Sequence, residues 1–334
     1  MLSKQKRIII RIVAFAVIIL VLCLTLLHRY KLTPLARFAV PELTRNYGHK
    51  LFDGYAVSFA LSPDRIYIID ATNGAYTRSY SFDYNGKRMQ DFRLPTNFGF
   101  WQPYNENCFY YLPESNILAV NNWSRQKMDF FTPQGNYITS RKIARKQNET
   151  WLDTDEHNGT KYFLTMGTSK FNATYQINLY SEAKTGQGKL FKAVSSMKQS
   201  EGFCGASKQI QLDSYDENLM AISEAQKRKY IISLYRQNKT KTIRIPRNRM
   251  RMPWNFADFP SQFVLGKNFM VLGSWTDELT YPLKEKLYTL SGQYVGILKF
   301  KDDPQNELVD INGDRLVAFN PATGVISVYR IKVR

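Results

Sequence analysis

The residues in this sequence best suited to chemistry are five tryptophans and a cluster of arginines. Arg247, Arg249 and Arg251 alternate with Asn248 and Met250 and run on to Trp254, the densest basic-aromatic stretch outside the N-terminus. Trp101, Trp123 and Trp275 fall in other polar stretches, and Arg125 follows Trp123 by two residues. A guanidinium grips a carboxylate or phosphate through two parallel hydrogen bonds. An indole stacks on a sugar face or a peptide. Both residue types are enriched where interfaces concentrate their binding energy. The chemistry implied is recognition, with aromatic anchors from Trp101, Trp123, Trp254 and Trp275 and anionic contacts from Arg125, Arg247, Arg249 and Arg251. The plain alternative is that each Trp fills a gap between packed elements and each Arg is merely solvated. The occurrence of all five tryptophans, Trp151 included, in or at the edge of connecting stretches favours a binding face.

Patterns for catalysis are absent. There is no G-x-S-x-G, no H-E-x-x-H and no C-x-x-C, and Gly186-Gln187-Gly188-Lys189 lacks both the upstream Gly and the Ser/Thr of a phosphate loop. Of three histidines, only His49 and His157 could serve a site. Asp153–Gly159 has the alternating acids of a calcium loop, but its Gly comes one position late and its twelfth position is Leu164. Asp310, Asn312 and Asp314 alternate like ligands, yet Asn312-Gly313 reads better as a hairpin turn. No cofactor and no metal are expected. A hydrolase or lyase with a metal on a central axis is the less favoured reading.

Short β-rich runs punctuated by Gly, Pro and Asn must position these residues. Apolar runs recur roughly every 50 residues, at Ile66 (IYII), Ile117 (ILAV), Tyr162 (YFLT), Leu219 (LMAI), Phe269 (FMVL) and Leu316 (LVAF), a period typical of propeller blades. Each run has one candidate strand before it and one or two after it. In the second unit these are Cys108–Leu112, Met128–Thr132 and Asn136–Ile143. The sixth unit lacks a fourth strand, and Ala36–Val40 is free to supply it. The expected fold class is all-β: a six-bladed β-propeller with an N-terminal transmembrane helix, the ring closed by an N-terminal strand. A seventh blade stays open if residues 40–50 hide a partial unit.

The blade core ILAVNN…MDFFTPQGNYITSRKI, its echo RIYIID…SYSFDYNGKRMQDFRL and the Ser-Pro-Asp turn of Leu61–Ile69 (LSPDRIYII) resemble the six-bladed propellers of the TolB-like and NHL-like group. The resemblance covers roughly residues 36–334 and departs in its uneven loops and its single Ser-Pro-Asp turn. It implies a fold, and it leaves open whether the chain is a binding scaffold or an enzyme.

Residues 8–27 are apolar apart from Arg11 and Thr25, and 20 helical residues span about 30 Å, one bilayer core. They read as a transmembrane signal anchor, with residues 1–7 a cytoplasmic tail, 28–35 a linker and 36–334 the propeller domain. Lys4, Lys6 and Arg7 favour a cytoplasmic N-terminus, which puts the propeller in the periplasm or outside the cell. A cleaved signal peptide is the rival, although no small-x-small site follows Leu27. The formal charge of +18 suggests an anionic neighbour. Cys108 and Cys204 permit a disulfide, and Asn122, Asn148, Asn158, Asn172 and Asn238 open glycosylation sequons. The leading function is thus a membrane-anchored scaffold or accessory subunit that binds a protein partner. The alternative is a module for a glycan or another anionic ligand; nucleic acid is not expected.

Overall fold

The structure is a computed structural model. It describes residues 30–43, 57–70, 77–94, 109–122, 127–142, 149–157, 160–169, 174–182, 188–198, 208–213, 219–226, 229–236, 239–246, 262–266, 268–274, 284–320 and 322–333, together with Val13, Phe15 and Val17. Strand β1 (Tyr30–Ala39) and a 3-10 turn (Pro41–Leu43) lead into the first sheet, formed by β2 (Val57–Leu61), β3 (Arg65–Asp70), β4 (Thr77–Asp83) and β5 (Arg88–Leu94). The second holds β6 (Phe109–Leu112), β7 (Ile117–Asn122), β8 (Lys127–Phe131) and β9 (Tyr137–Arg141). The third holds β10 (Glu149–His157), β11 (Thr160–Ser169), β12 (Thr174–Glu182) and β13 (Gly188–Lys198). The fourth holds β14 (Lys208–Asp213), β15 (Leu219–Gln226), β16 (Lys229–Arg236) and β17 (Lys239–Pro246). The fifth holds β18 (Gln262–Leu265), β19 (Phe269–Ser274), β20 (Lys284–Thr289) and β21 (Tyr294–Ile297). The last combines β22 (Glu307–Asn312), β23 (Arg315–Asn320) and β24 (Val325–Val333) with β1 as its outer strand. Every pairing is antiparallel; the first strands of consecutive sheets lie against one another, and β22 returns to β2. The protein is an all-β propeller.

The apolar runs of β3, β7, β19 and β23 are continuous because these second strands are buried on both faces. Along β3, Ile66 and Ile68 enter a core shared with the last sheet, while Tyr67 and Ile69 enter one shared with the second. Along β23, Val317 and Phe319 face the first sheet, and Leu316 and Ala318 face the fifth. β19 divides in the same way, Met270 and Leu272 toward the fourth sheet and Phe269 and Val271 toward the last. Successive side chains of a strand point to opposite faces, so a strand between two neighbours needs apolar residues at every position. Each such aliphatic side chain contributes about 1.5–3 kcal/mol by burial. The cores are therefore interfaces between sheets, and no sheet owns one.

A repeated turn locks the rim. In Asp83–Lys87, Thr132–Asn136 and Thr289–Gln293 the fourth residue is a Gly at positive φ: Gly86 (86°), Gly135 (82°) and Gly292 (89°). Its N–H donates to the carbonyl of the first residue at 2.9–3.0 Å, and the first residue's N–H donates to the carbonyl of the fifth. The first side chain completes the turn: Asp83 Oδ1 accepts from the Asn85 and Lys87 amides (2.9 and 2.8 Å), and Thr132 Oγ1 from Gln134 and Asn136 (3.3 and 3.2 Å). A register shift follows in each pair, at Ser81/Phe82, Phe130/Phe131 and Leu287/Tyr288. This is a type I turn closed by a glycine bulge. It differs from the two-residue hairpin that Asn85-Gly86 suggests, because Asn85 keeps a negative φ. Each glycine also abuts the fourth strand of the preceding sheet. A Cβ on Gly86 would come within 2.5 Å of the Phe38 ring, and Gly135 and Gly292 meet Phe92 and Ile243 in the same way.

The ring closes through β1, paired along its length with β24 from Tyr30↔Val333 to Ala39↔Val325. The strand begins at Tyr30, within the stretch expected as a linker, and bulges between Pro34 and Ala36. The Tyr30 hydroxyl donates to Ile297 O at 2.5 Å, which ties the strand to the fifth sheet. Val40 and Leu43 are fully buried in the core between the last and first sheets. Polar ties reinforce that seam: Arg88 Nη1 meets Glu42 Oε1 at 2.9 Å and holds that carboxyl below its ordinary value.

One part of the expected architecture is corrected. Among the described residues no helix is long and apolar enough to cross a membrane. Of residues 8–27 only Val13, Phe15 and Val17 are described; they are helical, and the rest of that segment lies outside the described residues. The single-pass transmembrane anchor, and the periplasmic or extracellular placement resting on it, are not carried by the structure.

The glycine–aromatic contact is testable by a double-mutant cycle. Gly86→Ala should destabilise the protein by about 1–3 kcal/mol through backbone strain and collision with Phe38. Phe38→Ala should cost about 2–3 kcal/mol. In urea unfolding, the double variant should lose at least about 0.5 kcal/mol less than the sum of the two; full additivity would show that the two residues do not press on each other.

Candidate functional site

Eight residues are expected to form a binding face: Trp101, Trp123, Arg125, Arg247, Arg249, Arg251, Trp254 and Trp275. All eight lie outside the described residues, so their geometry is not part of the structure. The strands that bound their connections are described. Trp101 falls between β5 and β6, Trp123 and Arg125 between β7 and β8, the arginines and Trp254 between β17 and β18, and Trp275 between β19 and β20. Each connection joins a second strand to a third, or one sheet to the next. In a ring of antiparallel sheets, strand ends of both kinds emerge on one face. Trp151 is different: it lies within β10, paired with Thr165 at a bulge, and is not a loop residue.

Two connections on that face are described, both on the last sheet, and they show how it is built. Asp303 is buried between β21 and β22. The Asn320 amide donates to both its oxygens (3.0 and 2.9 Å), the Gln305 amide donates to Oδ1 (3.1 Å), and Arg37 Nη2 approaches Oδ2 at 3.2 Å. Asn320 Oδ1 accepts from the Ala322 amide at 3.0 Å, which shapes the β23–β24 turn. Asn306 Nδ2 donates to Ser327 Oγ at 3.1 Å and to the Tyr329 hydroxyl at 3.4 Å. A carboxylate this well satisfied holds two loops and the closing strand in one arrangement. Arg37 and Asp303 are 266 residues apart, a pairing with no local signature.

The acidic candidates prove to be strand residues, except Asp314, which sits in the β22–β23 turn. Asp153, Asp155 and Glu156 all lie on β10, so the stretch is no calcium loop. Glu156 is buried and clamps two sheets: it accepts from the Ser115 amide at 2.7 Å and from the Ser115 hydroxyl, with Lys161 Nζ at 3.4 Å. Glu285 does the same between the fifth and last sheets, accepting the Leu308 amide at 2.7 Å. Asp314 faces Arg330 at 3.2 Å beyond a hairpin whose Gly313 has φ 65°. Asp310 stands where β22 bulges, and its Oδ1 accepts the Ile311 amide at 2.7 Å. Burial pushes its carboxyl up to about 6 despite that hydrogen bond. Among the described residues no group of three or more His, Cys, Asp or Glu could hold a metal ion.

No family model and no curated protein matches the chain. Among solved structures it is similar to a Bacteroides fragilis protein described as a candidate exported protein, at 10% identity over 92% of this chain and 96% of that one, with a TM-score of 0.51. It is also similar to the β-propeller domain of the Trilobed protease from Pyrococcus furiosus (11% identity, 83% of each chain, TM-score 0.41). A third likeness is to Raptor from Chaetomium thermophilum (10% identity, 83% of this chain, TM-score 0.45), of which this chain spans 23%. At such identities the likeness concerns the fold alone.

The Asp310 carboxyl sets a pH dependence. Its folded pKa is raised above the ordinary 3.8, so the folded state holds the proton more tightly than the unfolded chain. Stability is unpenalised below about pH 4, falls as pH rises toward 6, and carries the full penalty above that. Asp310→Asn keeps the acceptor for Ile311 and should gain about 1–3 kcal/mol at pH 8. Chemical denaturation at pH 8 and pH 4 checks this: the gain should shrink at the lower pH, and a gain independent of pH would contradict it.

Proposed function

We propose that this chain is a non-catalytic binding scaffold, an accessory subunit whose loop face takes a protein partner. Trp101, Trp123, Trp254 and Trp275 serve as aromatic anchors, and Arg125, Arg247, Arg249 and Arg251 as anionic contacts. The observation that carries the reading is topological. The strands bounding all four connections end on one face of the ring, which supports reading residues far apart in sequence as one platform. The six four-stranded sheets and the Ser62-Pro63-Asp64 turn support a six-bladed propeller of the TolB-like or NHL-like group. In that turn the Ser62 hydroxyl bonds Asp64 at 2.8 Å and receives the Arg65 amide at 2.9 Å. The formal charge of +18 favours, as a second reading, an acidic glycan or other anionic ligand on the same face.

Purification of the full-length protein from its own source under mild conditions, with mass spectrometry of what accompanies it, tests the proposal. A stoichiometric protein should co-purify. Arg249→Glu or Trp254→Ala should weaken its binding at least about tenfold, as loss of a hot-spot residue does. A clean monomer overturns the scaffold reading. Capture by an acidic polysaccharide that fades steeply with salt, with no protein partner, transfers the face to the second reading.

A further inference from the structure

A cleft of about 360 Å³ opens at the closure seam, on the side of the sheets opposite the loop face. One wall comes from the last sheet and is cationic. Arg315 on β23 and Arg330 on β24 are directly paired across the ladder, and Lys31 and Lys332 form the next paired position on the same face. Like charges directly opposite on a sheet are destabilising. Asp314 meets this wall from its own sheet, at 3.2 Å from Arg330 Nε. Arg315 is held in place: its Nη1 donates to Pro63 O at 2.6 Å, and its guanidinium stacks 4.6 Å from the Tyr84 ring centroid. Tyr84 is fixed in turn by its hydroxyl, which donates to Ser62 O at 2.7 Å.

The other wall comes from two turns of the first sheet and is acidic. Asp64 is exposed, touched by Ser62 Oγ at 2.8 Å and Arg65 Nε at 3.4 Å. Asp83 spends Oδ1 on the amides of Asn85 and Lys87. Leu35, thrown outward by the bulge in β1, forms an apolar rim. Segregated charge on facing walls disfavours a polyanion, which the carboxylates would repel, and a polycation, which the arginines would repel. We propose that this cleft binds a small zwitterion, of the size of an amino acid or short peptide, with its carboxylate on Arg315 and Arg330 and its ammonium toward Asp64 and Asp83. The site is independent of the loop face.

The test uses the full-length chain and calorimetric titration with four probes: alanyl-alanine, its N-acetyl form, its C-terminal amide and inorganic phosphate. Alanyl-alanine should bind saturably. The two forms lacking one charge should each bind at least about tenfold more weakly, since each loses one charged contact. Arg330→Gln and Asp64→Asn alter exposed side chains, and each should weaken alanyl-alanine by a similar factor with unchanged thermal unfolding. No saturable binding, phosphate binding as tightly as the dipeptide, or indifference to Arg330→Gln overturns the proposal.

Discussion

Two-sided burial of a sheet's second strand is the constraint on which the rest of the structure depends. β3, β7, β19 and β23 send alternate side chains into the cores on either side of them. A strand of this kind has no solvent face, so a single sheet cannot bury its own apolar surface. Stability then belongs to contacts between neighbours, and a ring is the arrangement that leaves no sheet without one. That is why the first described strand is recruited to complete the last sheet, and why Val40 and Leu43 are buried at the seam where the ends meet.

The two ends of the sheets are built differently. On the rim, tight glycine turns brace the first, second and fifth sheets against the outer strand of the one before, as Gly86 against Phe38 and Gly135 against Phe92. These turns are short and leave little room for variation. On the opposite face the connections from one sheet to the next are long, and the described ones are held by buried polar residues such as Asp303 and Asn320. A rigid ring with long connections on one face suits recognition, because the ring holds positions while the connections supply the chemistry. At the seam the rim side also opens into a cleft lined by charge.

What could be read from the sequence follows from these forces. Runs such as IYII and LVAF stand out because two-sided burial makes them continuously apolar. The turns stand out because a positive φ demands glycine. The closing strand starts at Tyr30, before the expected Ala36: Pro34 resembles a strand breaker, but on an outer strand its missing N–H is tolerated at the bulge. β10 was under-read because its polar sequence, ETWLDTDEH, resembles a loop, although Thr154 and Glu156 are buried in it. Long-range polar ties such as Arg37 to Asp303 leave no trace in local sequence. A long apolar stretch near the N-terminus invited a membrane anchor on composition alone, and no described helix answers to it.

The account holds that the ring is one cooperative body locked by β1. Hydrogen exchange on residues 30–334 and on residues 40–334 tests this most directly. Removal of β1 should abolish slow exchange in β22–β24 and also across the seam in β2–β5, because the core there is shared. Loss of protection confined to the newly exposed edge of β24, with β3 and β23 still slow, would contradict it.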